Sequence, residues 1–119
     1  MSAGALAALS IIFVAVAVAV ALRRGRRRHR DAIAAVVAHS GAARCQAAIP
    51  LFRALAARGD QQAIAAAWEV LELPLLQALP DCPPDDKPDL VVALDACAQR
   101  CSNRDLSKRI MTLRRGIYP

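Results

Sequence analysis

Residues 14–30 read VAVAVAVALRRGRRRHR, an apolar run that gives way within one position to six arginines and a histidine around a single glycine. The apolar side reaches far back: over 3–22 no side chain carries a charge, and Ser10 alone is polar. As a helix rising ~1.5 Å per residue, that stretch extends ~30 Å, the thickness of the hydrocarbon core of a bilayer. The Val-Ala alternation over 14–21 has the two-residue period of a strand, but a strand open to lipid leaves its backbone amides and carbonyls unpaired. The expectation for residues 1–22 is therefore one transmembrane helix.

A cleaved secretory signal places its positive charge ahead of a shorter apolar core. Here the order is reversed, so the segment is read as retained, although Ala19, Val20 and Ala21 have the small-residue pattern of a cleavage site. Arginine stays on the cytoplasmic side of a membrane. The collar at 23–30, comprising Arg23, Arg24, Arg26, Arg27, Arg28 and Arg30, thus predicts an outside N-terminus and a cytoplasmic domain at 31–119. A bacterial inner membrane is the expected location.

The six collar arginines also account for the whole formal charge of +6, because the ten other Lys and Arg are matched by ten Asp and Glu. A neutral domain behind a basic collar argues against a nucleic-acid partner. Collar arginines can instead meet anionic lipid headgroups, at ~1 kcal/mol each.

Residues 31–119 carry helical periodicity and helix punctuation throughout. Ile33, Val36 and Val37 share a face, between a capping Asp31 and a closing Ser40 and Gly41. A second helix over 43–58 places Cys45, Ala48, Ile49, Phe52, Leu55 and Ala56 on one side, and Gly59 ends it. A third carries Ile64, Ala67, Trp68 and Leu71 on one stripe. Pro74 lacks an amide proton and clashes with the preceding turn, so a break is expected there, with a separate short helix over 74–79. Four prolines make 80–89 a loop. Beyond it Leu90, Leu94, Cys97 and Cys101 form one stripe, then Leu106, Ile110, Leu113 and Ile117 another, opened by Ser102 and Asp105 spaced as a capping box. The fold class expected is all-α, a transmembrane helix followed by a small helical bundle or a short α-solenoid. Aromatic residues are only 3% of the chain, so small aliphatic side chains must fill the core, with Trp68 its largest anchor.

The solenoid alternative comes from a repeat. Ile49-Pro50-Leu51-Phe52-Arg53-Ala54-Leu55 returns as Leu73-Pro74-Leu75-Leu76-Gln77-Ala78-Leu79, each followed by an aspartate and an alanine-rich helix. Over about residues 47–101 the chain resembles the HEAT and armadillo class of helical repeats. That resemblance implies a binding scaffold with no chemistry of its own.

Four cysteines could in principle serve one metal ion or two disulfides. Cys97 and Cys101, one helical turn apart, are the candidate ligands, but Cys45 and Cys82 are too distant in sequence to form a second knuckle. Since Cys45, Cys97 and Cys101 fall on apolar stripes, buried structural thiols are the expectation. No metal, cofactor or catalytic residue is assigned: His29 and His39 lack partners at a telling spacing, and no phosphate loop or nucleophile motif occurs. The last helix is basic, with Arg104, Lys108, Arg109, Arg114 and Arg115 available for anionic lipid or an acidic partner.

These features together predict a non-catalytic, single-pass membrane adaptor or scaffold, an accessory subunit whose helical domain meets a membrane-bound protein partner. The alternative is a thiol-based metal-binding or redox module on a membrane tether.

Overall fold

The computed structural model describes the backbone of residues 3–119 and the side chains of 12–20 and 29–119. Five α-helices follow in order: α1 (Ala3–Ala38), α2 (Gly41–Arg58), α3 (Gln61–Ala78), α4 (Lys87–Arg100) and α5 (Arg104–Arg115), with a 3-10 turn, Leu79–Asp81, between α3 and α4. The fold is all-α, with no strand among the described residues. The chain divides into two compact units, Met1–Arg30 and Asp31–Pro119.

In the second unit α2 is the central element, packed on α3 and α4, and α5 completes the bundle against α4. Each helix buries the stripe its sequence period defines. α2 buries Cys45, Ala48, Ile49, Leu51, Phe52, Leu55 and Ala56; α3 buries Ile64, Ala67, Trp68, Leu71, Leu75 and Ala78. Leu90, Ala93, Leu94 and Cys97 of α4, with Ile110 and Leu113 of α5, close the core. Several of the most deeply buried side chains are small, among them Cys45, Ala48, Ala67, Ala93 and Cys97, which lets helix backbones approach closely. Phe52 and Trp68 meet as a tilted ring pair, centroids 6.2 Å apart, an arrangement aromatic quadrupoles favour.

Two arginines hold the helix ends. The last carbonyls of a helix lack intrahelical partners and carry partial negative charge, so a cation there supplies hydrogen bonds and complements the dipole. Arg44 of α2 donates to the carbonyls of Val36, Val37 and His39 at the end of α1, and through Nη1 to the Pro74 carbonyl of α3, at 2.8–3.2 Å. Arg100 of α4 does the same for α2, with Nε 2.9 Å from the Ala56 carbonyl. Gly59 ends α2 at φ 63, a left-handed conformation that favours glycine, and a Cβ there would stand 3.0 Å from the Arg100 guanidinium. Asp60 then caps α3, accepting from the amides of Gln62 and Ala63.

Three local expectations are corrected. α3 continues through Pro74 instead of breaking, and no separate helix forms over 74–79. The lost amide frees only the Val70 carbonyl, while Leu71, Leu75 and Ala78, buried on both sides of the proline, keep the helix against the core. α5 is capped by Asn103, which accepts from the amides of Asp105 and Leu106, and Ser102 instead donates to Gln61 Oε1. α4 begins at Lys87, inside the proline-rich stretch, because Pro88 falls in the first turn where its missing amide costs nothing.

Trp68 is 1% exposed, yet its indole Nε1 has no acceptor among the described residues, a burden of ~1–3 kcal/mol that its apolar burial outweighs. Trp68→Phe, which keeps a ring and removes the unmet donor but leaves a small void, is expected to cost ~1–2 kcal/mol. Trp68→Ala should cost ~3–5 kcal/mol. Urea unfolding of the full chain in mild detergent, followed by circular dichroism, checks both; equal losses would contradict the ring's role as anchor.

Candidate functional site

The described part of the N-terminal apolar segment, residues 12–20, is helical and exposed throughout. Ile12 is 60% accessible, Phe13 77%, Val14 60% and Val16, Val18 and Val20 44–56%, values expected of residues on a solvent-facing surface rather than in a core. No polar side chain interrupts them. Residues 3–11 and 21–28, and with them Arg23, Arg24, Arg26, Arg27 and Arg28 of the collar, lie outside the described side chains. Arg30, the last collar residue, is exposed.

The basic helix α5 is divided by its packing. At ~100° per residue, Leu106, Ile110 and Leu113 face the core, and Arg109 and Arg114 fall on its two flanks. Both flanking cations are paired, Arg109 with Glu72 of α3 and Arg114 with Asp95 of α4, the latter a 3.0 Å charge contact whose angles do not make it a hydrogen bond. Arg104, Lys108 and Arg115 lie within about 40° of one another on the side opposite the core. All three are exposed and make no ion pair among the described residues.

All four cysteines are free thiols. Cys45 Sγ donates to the Ala78 carbonyl at 3.5 Å and Cys97 Sγ to the Phe52 carbonyl at 3.1 Å, so each buried thiol is already satisfied by backbone. Burial pushes both thiols up to about 12, helped for Cys45 by neighbouring Cys82 and the acids Asp81 and Asp86, and for Cys97 by Cys101. Burial raises Cys101 as well. Metals and electrophiles are met by thiolates, and these environments suppress the thiolate. Cys101 follows α4 as its terminal cap and is half-buried. Cys45 and Cys82 are brought together by the 3-10 turn, a proximity their sequence separation concealed. No group of three or more potential metal ligands is gathered among the described residues.

Two surfaces escaped the sequence reading. α3 with the following turn, Gln61–Asp81, is apolar and long enough to cross a membrane by length and composition only, a test that the core helix of a bundle also passes. Its outer side exposes Val70, Leu73 and Leu76. Apolar residues off the buried stripe were the available signal. Between α2 and α4 an open groove of about 420 Å³ is floored by Ala56, Ala57, Ala93 and Ala96, with Arg53 and Arg100 on its lining. Arg53 is paired with Asp89 at 3.4 Å and Arg100 is engaged with α2, so neither guanidinium is uncommitted. Comparison with protein-family models, curated proteins and solved structures finds no match to the chain.

The thiols generate a pH prediction. Folded Cys45 and Cys97 keep their protons to about 12, whereas the unfolded chain releases them near 9.0. Their contribution to stability is therefore complete below pH 9 and is lost as pH rises toward 12. The thermal midpoint should fall over that window, less steeply in Cys45→Ala/Cys97→Ala. Alkylation of the native chain near neutral pH should reach Cys101 first and Cys45 and Cys97 only after unfolding; rapid native labelling of those two would contradict their structural role.

Proposed function

We propose that this chain is a single-pass membrane protein whose helical domain acts as a non-catalytic adaptor, an accessory subunit docking a partner within a larger membrane assembly. The observation that carries the reading is the exposed apolar helical surface at 12–20. Leaving six Val, Ile and Phe side chains in water costs on the order of 10 kcal/mol, comparable to the whole stability of a small domain. A bilayer removes that cost, and a helix is the form in which such a segment can enter one.

Orientation follows from the collar. The arginines at 23–30 stay on the cytoplasmic side, which puts residues 31–119 in the cytoplasm and the N-terminus outside, in a bacterial inner membrane. An adaptor role is supported by what the domain offers: stacked amphipathic helices with exposed apolar side chains on α3 and α4, thiols held protonated, and the resemblance to helical-repeat scaffolds. Tethering to the membrane raises the effective concentration of a membrane-bound partner without requiring a new contact.

Expressed in a bacterial host, the full chain should remain with the membrane pellet after alkaline carbonate extraction. Residues 31–119 should be digested by added protease only once the inner membrane has been opened. Release by carbonate, or a mature chain beginning near residue 22, would overturn the anchoring.

A further inference from the structure

The cations of the second unit are almost all committed. Arg44 and Arg100 are engaged with helix carbonyls, Arg53, Arg109 and Arg114 are in ion pairs, and Lys87 lies 5.6 Å from the centroid of the Tyr118 ring. Arg58 has an interaction of its own. What remains is Arg104, Lys108 and Arg115, and these fall on one face of one helix. Packing has oriented that face: with Ile110 and Leu113 in the core and the flanking arginines tied to α3 and α4, the three other cations are held outward.

The stripe spans ~16 Å along α5, with Met111 and Thr112 between its charges. The single acid of the helix, Asp105, lies ~60–100° round from it, in the first turn where the helix dipole favours a carboxylate. We propose that Arg104, Lys108 and Arg115 form a docking face for anionic lipid headgroups of the membrane in which the chain is anchored. The proposal rests on the anchoring read from residues 12–20. Charge complementarity selects the occupant: a flat anionic surface matches three cations on an exposed helix side, and each Lys or Arg near such a surface contributes ~1 kcal/mol, lost beyond a Debye length. A polynucleotide would meet the same cations, but it must be recruited from solution, whereas the anchor read from residues 12–20 keeps the headgroups at high effective concentration.

The chain provides its own probe, because Lys87 and Lys108 are its only lysines. The full-length chain is incorporated into lipid nanodiscs of phosphatidylcholine alone or enriched in phosphatidylserine, and acetylation of each lysine is timed by mass spectrometry. Lys108 should react about tenfold more slowly in the anionic discs, the difference collapsing at about 0.5 M salt, while Lys87 is unchanged. Arg104→Gln/Arg115→Gln should lose most of that protection with the same helical circular dichroism. Equal Lys108 rates in the two discs overturn the docking face while leaving the anchoring intact. Protection of Lys108 by duplex RNA in neutral discs, without protection by phosphatidylserine, overturns it in favour of a nucleic-acid face. A chain that enters neither disc overturns the anchoring and the docking together.

Discussion

Six large apolar side chains, from Ile12 to Val20, stand exposed on one helical segment. In water the exposure costs on the order of 10 kcal/mol, comparable to the whole stability of a small helical domain. On the proposed reading a bilayer covers them, and other properties then acquire a reason: the whole net charge sits beside the apolar run, and the remaining residues are charge-balanced. α3 with its following turn is the one stretch among the described residues long and apolar enough to cross a membrane, but its Ile64, Ala67, Trp68, Leu71 and Leu75 are in the core, where a helical bundle keeps its most apolar helix.

In the second unit, arginines link the ends of helices. Arg44 gathers the terminal carbonyls of α1 and one from α3; Arg100 gathers those of α2 and stands against Gly59. Helix termini are where backbone groups go unpaired, so a long cationic side chain reaching across from a neighbour satisfies them and fixes the junction at once. The same economy governs α5. Acids of α3 and α4 neutralise its two flanks, and the charge left over is confined to the face away from the core.

Much of this was legible in the residues. The helical stripes of α2 to α5, the stop at Gly59, the start at Asp60 and the anchoring role of Trp68 all follow from periodicity and capping chemistry. Pro74 was misread because a proline's local penalty is known from sequence, whereas the packing of Leu71, Leu75 and Ala78 that outweighs it is tertiary. The cap at Asn103 was displaced from Ser102 because neighbouring polar residues compete for the same amides, and Ser102 is drawn to Gln61. The division of α5 into paired and unpaired cations, and the approach of Cys82 to Cys45, depend on which helices become neighbours. Neither could be read from spacing along one strand of sequence.

Hydrogen–deuterium exchange of the full chain in phosphatidylcholine nanodiscs tests the central claim most directly. Insertion of α1 predicts that amides over 12–20 stay protected for hours, beyond those of the solvent-exposed helical residues of α5, because water is absent from the hydrocarbon region and the helix there cannot open into it. Exchange of 12–20 within seconds to minutes, as in a helix fraying in water, would contradict it.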